Sequence, residues 1–268
     1  MKLDFSGLKI LVIGDPMADV YHWGRVERLS PEGPWPIFLE DDREVRWGGA
    51  MNVWVQLEAL GCDAHHAWDI PTAGYGWTQK NRYMVGNHCL FRVDDDQCVE
   101  NQIPALDGFS AIVISDYAKG ACTPEICQEA IVGAMERSIP VIVDPKGPDW
   151  SKYQGVTVIC PNEKEYQEQY RTSFDDTFIV LKRAAAGIDL IKPYESERVN
   201  YPAQVHRVSD VTGAGDTVTA VIAACAGSNI GIAEACKLAN LAAGCVVSEV
   251  GTTVCRIEKL RDLCKDLA

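Results

Sequence analysis

Positive charge is scarce in this sequence. Against 38 Asp and Glu stand 25 Lys and Arg, a formal net charge of −13, and a chain without a basic stripe does not hold a phosphate backbone, so nucleic acid is excluded as a partner. Long apolar runs are missing too. Residues 10–13 form a short one, preceded by Asp4 and lacking the basic flank and small-residue cleavage site of a leader; a soluble, cytoplasmic protein without a membrane partner is expected. The 11 cysteines are odd in number, include no C-x-x-C pair, and lie in apolar stretches such as VTVICPN and LAAGCVV. Buried reduced thiols fit this better than disulfides or zinc. The 5 histidines include the adjacent His65 and His66 but show no metal-ligand spacing, so no transition metal is assigned. Repeats, low-complexity tracts and a linker are absent. So are a Gly-x-x-x-x-Gly-Lys-Ser/Thr loop and a Gly-x-Gly-x-x-Gly after the first strand, which removes the common mononucleotide and dinucleotide fingerprints and disfavours a nicotinamide oxidoreductase.

What is present is an ordinary globular composition. With 268 residues, 47% hydrophobic and 24% charged, the chain suits one large domain with a single core. LKILVIGD reads as a buried strand ending at Gly14, and the form recurs in AIVISDYAKG (111–120), PVIVDPKG (140–147) and VTVICPNEKE (156–165). Continuous apolar strands, each running into a polar loop, describe a parallel sheet covered on both faces. Between them NVWVQLEALG, TPEICQEAIVGAMERS and GIAEACKLANLAAGCVVSEVG have helical spacing, which gives an α/β domain. Ligands of such sheets bind beyond the carboxyl ends of the strands. Asp15, Asp116, Lys119, Lys146, Asn162 and Glu165 all stand just past strand ends and should converge on one cleft.

Residues 20–46 and 77–94 break this rhythm, being short extended pieces rich in aromatic, Arg and turn residues. They read either as surface hairpins or as a small sheet rising from the cleft rim, a lid that excludes water. Any anionic substrate must be held by a local cluster of cations in so acidic a protein. Arg25, Arg28, Lys80, Arg82, Lys119 and Lys146 are the candidates; singly, each is an ordinary solvated charge.

DVTGAGDTV (210–218) places two acids around a Gly-Ala-Gly turn, directly before the helical stretch TVTAVIAACAG. Asp216 there has two readings. It is an N-cap that accepts backbone N–H bonds, or it handles a proton beside amides left bare for an anion. In either case a helix N-terminus is expected to depress its pKa.

GDPMADVYHWG (14–24), RLSPEGPWP (28–36), GGAMNV (48–53), TQKNR (78–82), SDYAKG (115–120), DPKG (144–147), PNEKE (161–165), DVTGAGDTV (210–218), ANLAAG (239–244) and VGTTV (250–254) occur in the order and context of the ribokinase-like, PfkB-type sugar kinases, which the chain resembles over nearly its whole length. Within that family it is most similar to kinases that phosphorylate the anomeric oxygen of D-glycero-D-manno-heptose 7-phosphate. The resemblance implies an α/β/α sandwich with a mostly parallel central sheet and a small β lid, forming one kinase domain over 1–268 without the nucleotidyltransferase domain fused to some relatives. It implies ATP and Mg²⁺ as cofactors, a monovalent cation such as K⁺ near Asp210 and residues 250–254, a sugar phosphate as substrate, and a homodimer formed through the lid. It makes Asp216 the base that takes the acceptor proton, with Gly213, Ala214 and Gly215 offering amides to the transferring phosphoryl. It puts the sugar on Asp19, Gly48, Gly49 and Asn52. Asn162 and Glu165 would organise Mg²⁺ through water, and Asn240 and the Gly251 loop would face adenine.

Two departures bear on this. CDAHHAWDIPTAGYGW (62–77) crosses directly to the second lid piece, where the family has a further strand and helix, so the sheet should be narrower there. LKRAAAGIDL (181–190) has Lys182, a candidate contact for the nucleotide, and a run of Ala in place of a Thr and polar residues. A PfkB-type kinase of another sugar or sugar phosphate, or a catalytically silent sugar or nucleotide sensor, are the competing readings.

Overall fold

Alternation along three short strands builds the protein. In β1 (Lys9–Gly14), Ile10 and Val12 enter one hydrophobic cluster while Leu11 and Ile13 enter another. Strand β7 repeats the division, with Ala111 and Val113 on one side and Ile112 and Ile114 on the other; so does β8, with Ile142 opposed to Val141 and Val143. Because both faces of each strand are apolar, the sheet must be covered twice, which is why these segments read as unbroken hydrophobic runs. The computed structural model describes residues 3–68, 76–169, 174, 176–195, 197–204, 208, 210–249 and 253–265.

In chain order the elements are β1, then β2 (Pro16–Leu29), β3 (Pro36–Gly49), α1 (Ala50–Ala59), β4 (Asp63–His66), β5 (Thr78–Val85), β6 (His88–Asp95), β7 (Ala111–Ser115), α2 (Pro124–Glu136), β8 (Val141–Asp144), β9 (Val158–Ile159), α3 (Glu163–Glu168), β10 (Phe178–Lys182), β11 (Ile188–Ile191), β12 (Arg198–Tyr201), α4 (Ala214–Gly227), α5 (Ile232–Val247) and α6 (Ile257–Lys265). The large sheet runs β12-β11-β10-β9-β8-β7-β1-β4. Residues of α1, α4, α5 and α6 pack on one face, and those of α2 with Trp150 and Tyr153 pack on the other. Local chemistry fixes the ends: Thr123 caps α2 by accepting from the Ile126 N–H at 3.3 Å, with Pro124 in its first turn.

The strands from β4 to β10 pair in parallel, as the sequence predicts, but β10, β11 and β12 are antiparallel. The Ala run explains the reversal. Residues 184–186 form a single 3₁₀ turn closed by Gly187 at φ 88°, where a Cβ would stand 2.2 Å from the Tyr201 carbonyl, so the chain turns back on itself there. On the opposite side the sheet ends at β4 among the described residues. Residues 69–75 of the shortened segment lie outside them.

The lid segments form a second sheet, β3-β2-β5-β6. Two of its strands are not short pieces: β2 and β3 each run 14 residues. β2 leaves β1 across Asp15 alone and β3 passes straight into α1, so the lid is a continuation of the elements that carry the cleft. Its aromatic rings have partners within the chain. Trp47 meets the buried Trp77 edge-on at 5.7 Å, and Tyr21 lies between the guanidinium groups of Arg46 and Arg82 at 4.9 and 5.3 Å. The exposed apolar side chains of this sheet are instead Leu29, Leu90, Phe91 and Val93, with Trp35 in the β2–β3 turn. All 11 cysteines are unpaired; Cys89 and Cys98 are exposed, against the expectation of burial. No helix of the described residues is long and apolar enough to cross a membrane.

Candidate active site

Helix α4 begins at the Gly-Ala-Gly turn. Gly213 precedes it in the left-handed region, φ 81°, a conformation that favours glycine. Asp216 is therefore the third residue of the helix and not its cap, and no side chain caps this N-terminus. Its carboxylate turns instead to two distant partners. Tyr117, in the loop after β7, donates its hydroxyl to Oδ1 at 2.6 Å, and Asn52 of α1 donates Nδ2–H to Oδ2 at 2.7 Å. Asp216 is 5% exposed. Burial, and after it the charge of Asp144, pushes its pKa up to about 6, while the bonds from Tyr117 and Asn52 and the charge of Lys182 act in the opposite direction. The depression expected from the helix N-terminus is thus reversed: removing the carboxylate from water outweighs it.

Asp216 opens onto a cavity of about 760 Å³. Its lining combines polar side chains, Asp116, Tyr117, Asp144, Lys146, Asn162, Glu165 and Lys182, and the Gly213–Gly215 turn with apolar ones, Ile188, Val208, Val211, Ala243 and Val247, and with Asn240. Lys182 grips both oxygens of Asp144, at 2.8 and 2.7 Å, and Thr219 of α4 donates to the same carboxylate at 3.1 Å. Burial alone would lower the Lys182 pKa, but Asp144 more than offsets it and keeps the ammonium charged. That ammonium lies against the turn, since a Cβ on Gly215 would stand 3.4 Å from its Nζ. Asn162 and Glu165 form a reciprocal capping box on α3, each side chain accepting from the other's N–H at 2.9 Å. Lys146 adds a 2.8 Å bond to Glu165. Asn240 donates to the Tyr201 carbonyl at 2.7 Å; Gly251 lies outside the described residues.

Comparison with known proteins identifies the family. Residues 84–260 match the pfkB family of carbohydrate kinases. The chain belongs to that family. By its description that family consists of carbohydrate kinases, phosphotransferases with an alcohol group as acceptor. Among its relatives are the bifunctional protein HldE of Campylobacter jejuni (strain RM1221), 35% identical over 94% of this chain and 64% of that protein, and the HldE of Geobacter sulfurreducens, 34% identical over 92% and 61%. The chain thus spans less than two thirds of these relatives. The alignment to the first covers 297 positions, more than the 268 residues of this chain, so that relative has residues where this chain has none. The fold is that of ribokinase: the Arabidopsis thaliana enzyme, solved with ribose and ATP, superposes with a TM-score of 0.76 at 16% identity over 97% of this chain and 99% of that one.

In this member of the pfkB family most of the residues proposed for the acceptor side are engaged with the chain itself. Asp19 lies on β2, level with Arg46 of β3 and Lys80 of β5, and its carboxylate is held by Arg82. Gly48 and Gly49 are demanded by the protein's own packing, since a Cβ on the first would meet Asp19 Oδ2 at 2.8 Å and one on the second the Asp15 carbonyl at 2.5 Å. Asp15 and Asp116, expected to hold substrate, are engaged with the chain. Asp15 accepts from the N–H groups of Tyr117, Ala121 and Lys119 at 2.8, 2.9 and 3.3 Å. Asp116 accepts from Ala118 N–H at 2.7 Å and from Tyr153 Oη at 2.6 Å, and pairs with Lys152. These carboxylates and Cys122 come within 4.8 Å of one another, yet the donors already on them account for their burial. Lys119 turns to Asp96 at 2.6 Å. Among the described residues Lys80 has no carboxylate partner; its ammonium lies over the Tyr117 ring, 5.9 Å from the centroid.

Sequence reasoning did not single out Tyr117 or Asp144, although both lie in motifs that it did, SDYAKG and DPKG. Their position past strand ends was the available signal. Their partners are 99 and 38 residues away, beyond the reach of local spacing.

Proposed function

We propose that the protein transfers the γ-phosphoryl group of ATP to the anomeric hydroxyl of D-glycero-D-manno-heptose 7-phosphate, with Asp216 as the base. The observation that carries this reading is Asp216 itself, buried beside the amides of residues 213–215 at the start of α4. Phosphoryl transfer demands positioning and charge stabilisation more than covalent chemistry. Asn52 orients the base, Lys182 and Lys146 add positive charge around the phosphates, and the apolar lining residues with Asn240 suit adenine. The kinship with HldE proteins and the subfamily motifs support the heptose phosphate as acceptor. Asn162 and Glu165 line the cavity, and each Glu165 oxygen accepts one hydrogen bond, Oε2 from Asn162 N–H and Oε1 from Lys146, and keeps a further lone pair, so this pair fits Mg²⁺ held through its hydration shell. The ion supplies neutralisation of phosphate charge. Of the region expected to hold a monovalent cation, residues 250–252 lie outside the described residues.

Lys80 is assigned to the acceptor's own phosphate, since it alone of the candidate cations Lys80, Arg82, Lys119 and Lys146 lacks a carboxylate partner among the described residues. ADP release measured over a panel of sugars and sugar phosphates tests this. Turnover is expected with the heptose 7-phosphate and is expected to be far weaker with the free sugar; Lys80→Met should raise KM for the sugar phosphate about tenfold or more and leave KM for ATP near its original value. Equal activity on free heptose or ribose would remove the heptose phosphate assignment. A kinase of another sugar phosphate is the second reading, favoured by the residues that this chain lacks relative to HldE.

The lid is proposed to pair with a second copy through β6, where Leu90, Phe91 and Val93 are each between 45 and 48% exposed. Light scattering at high micromolar concentration should give twice the 29.4 kDa chain mass. A monomer there ends the proposal.

A further inference from the structure

Tyr117 stands in the loop after β7, within hydrogen-bond reach of Asp216. Its loop is fastened at every second residue, the N–H groups of Tyr117, Lys119 and Ala121 all bonding to the Asp15 carboxylate. Between them Ala118 is held at φ 56°, a left-handed conformation that is rare for a residue with a Cβ and persists where the surroundings over-determine it. The Asp116 side chain takes the Ala118 N–H. What this fastening presents to the cavity is one phenol, aimed at one oxygen of Asp216 at 2.6 Å.

We infer that Tyr117 is a positioning residue for phosphoryl transfer: its hydroxyl fixes the Asp216 carboxylate and remains a donor to it throughout the reaction. The inference rests on Asp216 being the base, as proposed above. In the reaction the acceptor oxygen bonds to the γ-phosphorus as the bond from that phosphorus to the β,γ-bridging oxygen breaks. ADP leaves with the electron pair, and the acceptor proton passes to Asp216. Tyr117 keeps its own proton. Burial first, and then the negative charges of Asp216, Asp144 and Glu165, hold the phenol's pKa well above its ordinary value, so it serves as donor and not as acid or base. The same bond favours the ionised carboxylate that must receive the proton. The groups facing that carboxylate are Asn52 from α1, Asp144 from β8, Lys182 from β10 and Tyr117 itself.

Tyr117→Phe removes the hydroxyl alone and keeps the ring over which Lys80 lies. kcat and KM are measured against pH for whichever acceptor the wild type phosphorylates. In parallel the unliganded proteins, labelled with ¹³C at aspartate carboxyls, are titrated by NMR, with Asp216→Asn identifying the signal. The Phe variant is expected to lose about tenfold or more in kcat, as befits one hydrogen bond to a charged group, with acceptor KM within about twofold if the contact positions the base and not the sugar. Both the acidic limb of kcat/KM and the Asp216 titration should move up by about one pH unit. A variant that keeps wild-type kcat and limb overturns the inference. So does a fall in kcat with the limb and titration unmoved, which a merely structural phenol would produce. A wild type that phosphorylates no sugar on the panel overturns the proposed function itself, and the inference with it.

Discussion

Asp216→Asn is expected to lower kcat by about a hundredfold to ten-thousandfold, the range for a positioned general base, and at the same time to make the protein more stable at pH 7. The two effects have one cause. The native environment holds an ionised carboxylate out of water because the reaction needs it there, and its pKa is raised from 3.8 to about 6. A carboxyl whose folded pKa lies above its unfolded one binds its proton more tightly in the native state. Its ionisation therefore weakens folding as pH rises from about 4 to about 6, and the loss stays constant above that. Two pKa units correspond to about 3 kcal/mol. Asn carries no charge at any pH and escapes this, but its amide group faces a donor, Asn52 or Tyr117, and forfeits a bond of about 1 kcal/mol. A net gain of about 2 kcal/mol should remain at pH 7, a rise of several degrees in Tm for a chain of this size, and it should vanish near pH 4. Turnover above about a tenth of wild type would end the assignment of Asp216 as base. A stability difference that does not change between pH 4 and 7 would end the account of its burial.

Asp144→Asn should act in the opposite direction, through Lys182. The side chains of this pair are 11 and 14% exposed, and both lysine contacts are to the one carboxylate. Removing a partner from such a pair leaves a charge without compensation and is expected to destabilise by about 3–5 kcal/mol, whereas replacing both with apolar groups is close to neutral. The single variant should thus unfold about ten degrees lower, and Asp144→Leu with Lys182→Met should recover most of that loss. The double variant separates structure from function. If Lys182 serves the phosphates, the recovered protein should still show raised KM for ATP and reduced kcat. A stable double variant with wild-type kinetics would reduce the pair to a packing device.

Much of the fold was legible because the relevant patterns are local. The β1, β7, β8 and β9 segments are apolar on both faces, and each is followed within a few residues by a polar loop, so the layers and the cleft end of the sheet could be read directly. The antiparallel β10–β11–β12 end was not legible. It depends on a close approach of Gly187 to the Tyr201 backbone, a contact between distant residues that leaves no spacing signature. The lid was located, and Trp35 at its β2–β3 turn is exposed, but the pairing of its other rings within the chain was not legible. Trp47 and Trp77 satisfy one another, and the exposed apolar face belongs to β6.

The sequence by itself determined the α/β class, the order of the four apolar strands β1, β7, β8 and β9, the family motifs and the set of residues gathered past the strand ends, because periodicity and turn chemistry act over ten residues or fewer. Only the tertiary structure decided which of those residues are available to a ligand. Asp15 and Asp116 are consumed by the loop they fasten, Arg82 by Asp19, Lys119 by Asp96 and Lys146 by Glu165, which leaves Lys80 of these four cations without a carboxylate among the described residues. It also decided the character of Asp216. As sequence, an Asp in the first turn of a helix is a stabilised anion; in the fold, desolvation outweighs the helix field and raises its pKa. Desolvation is a property of everything packed around a group, and so it has no local sequence signal.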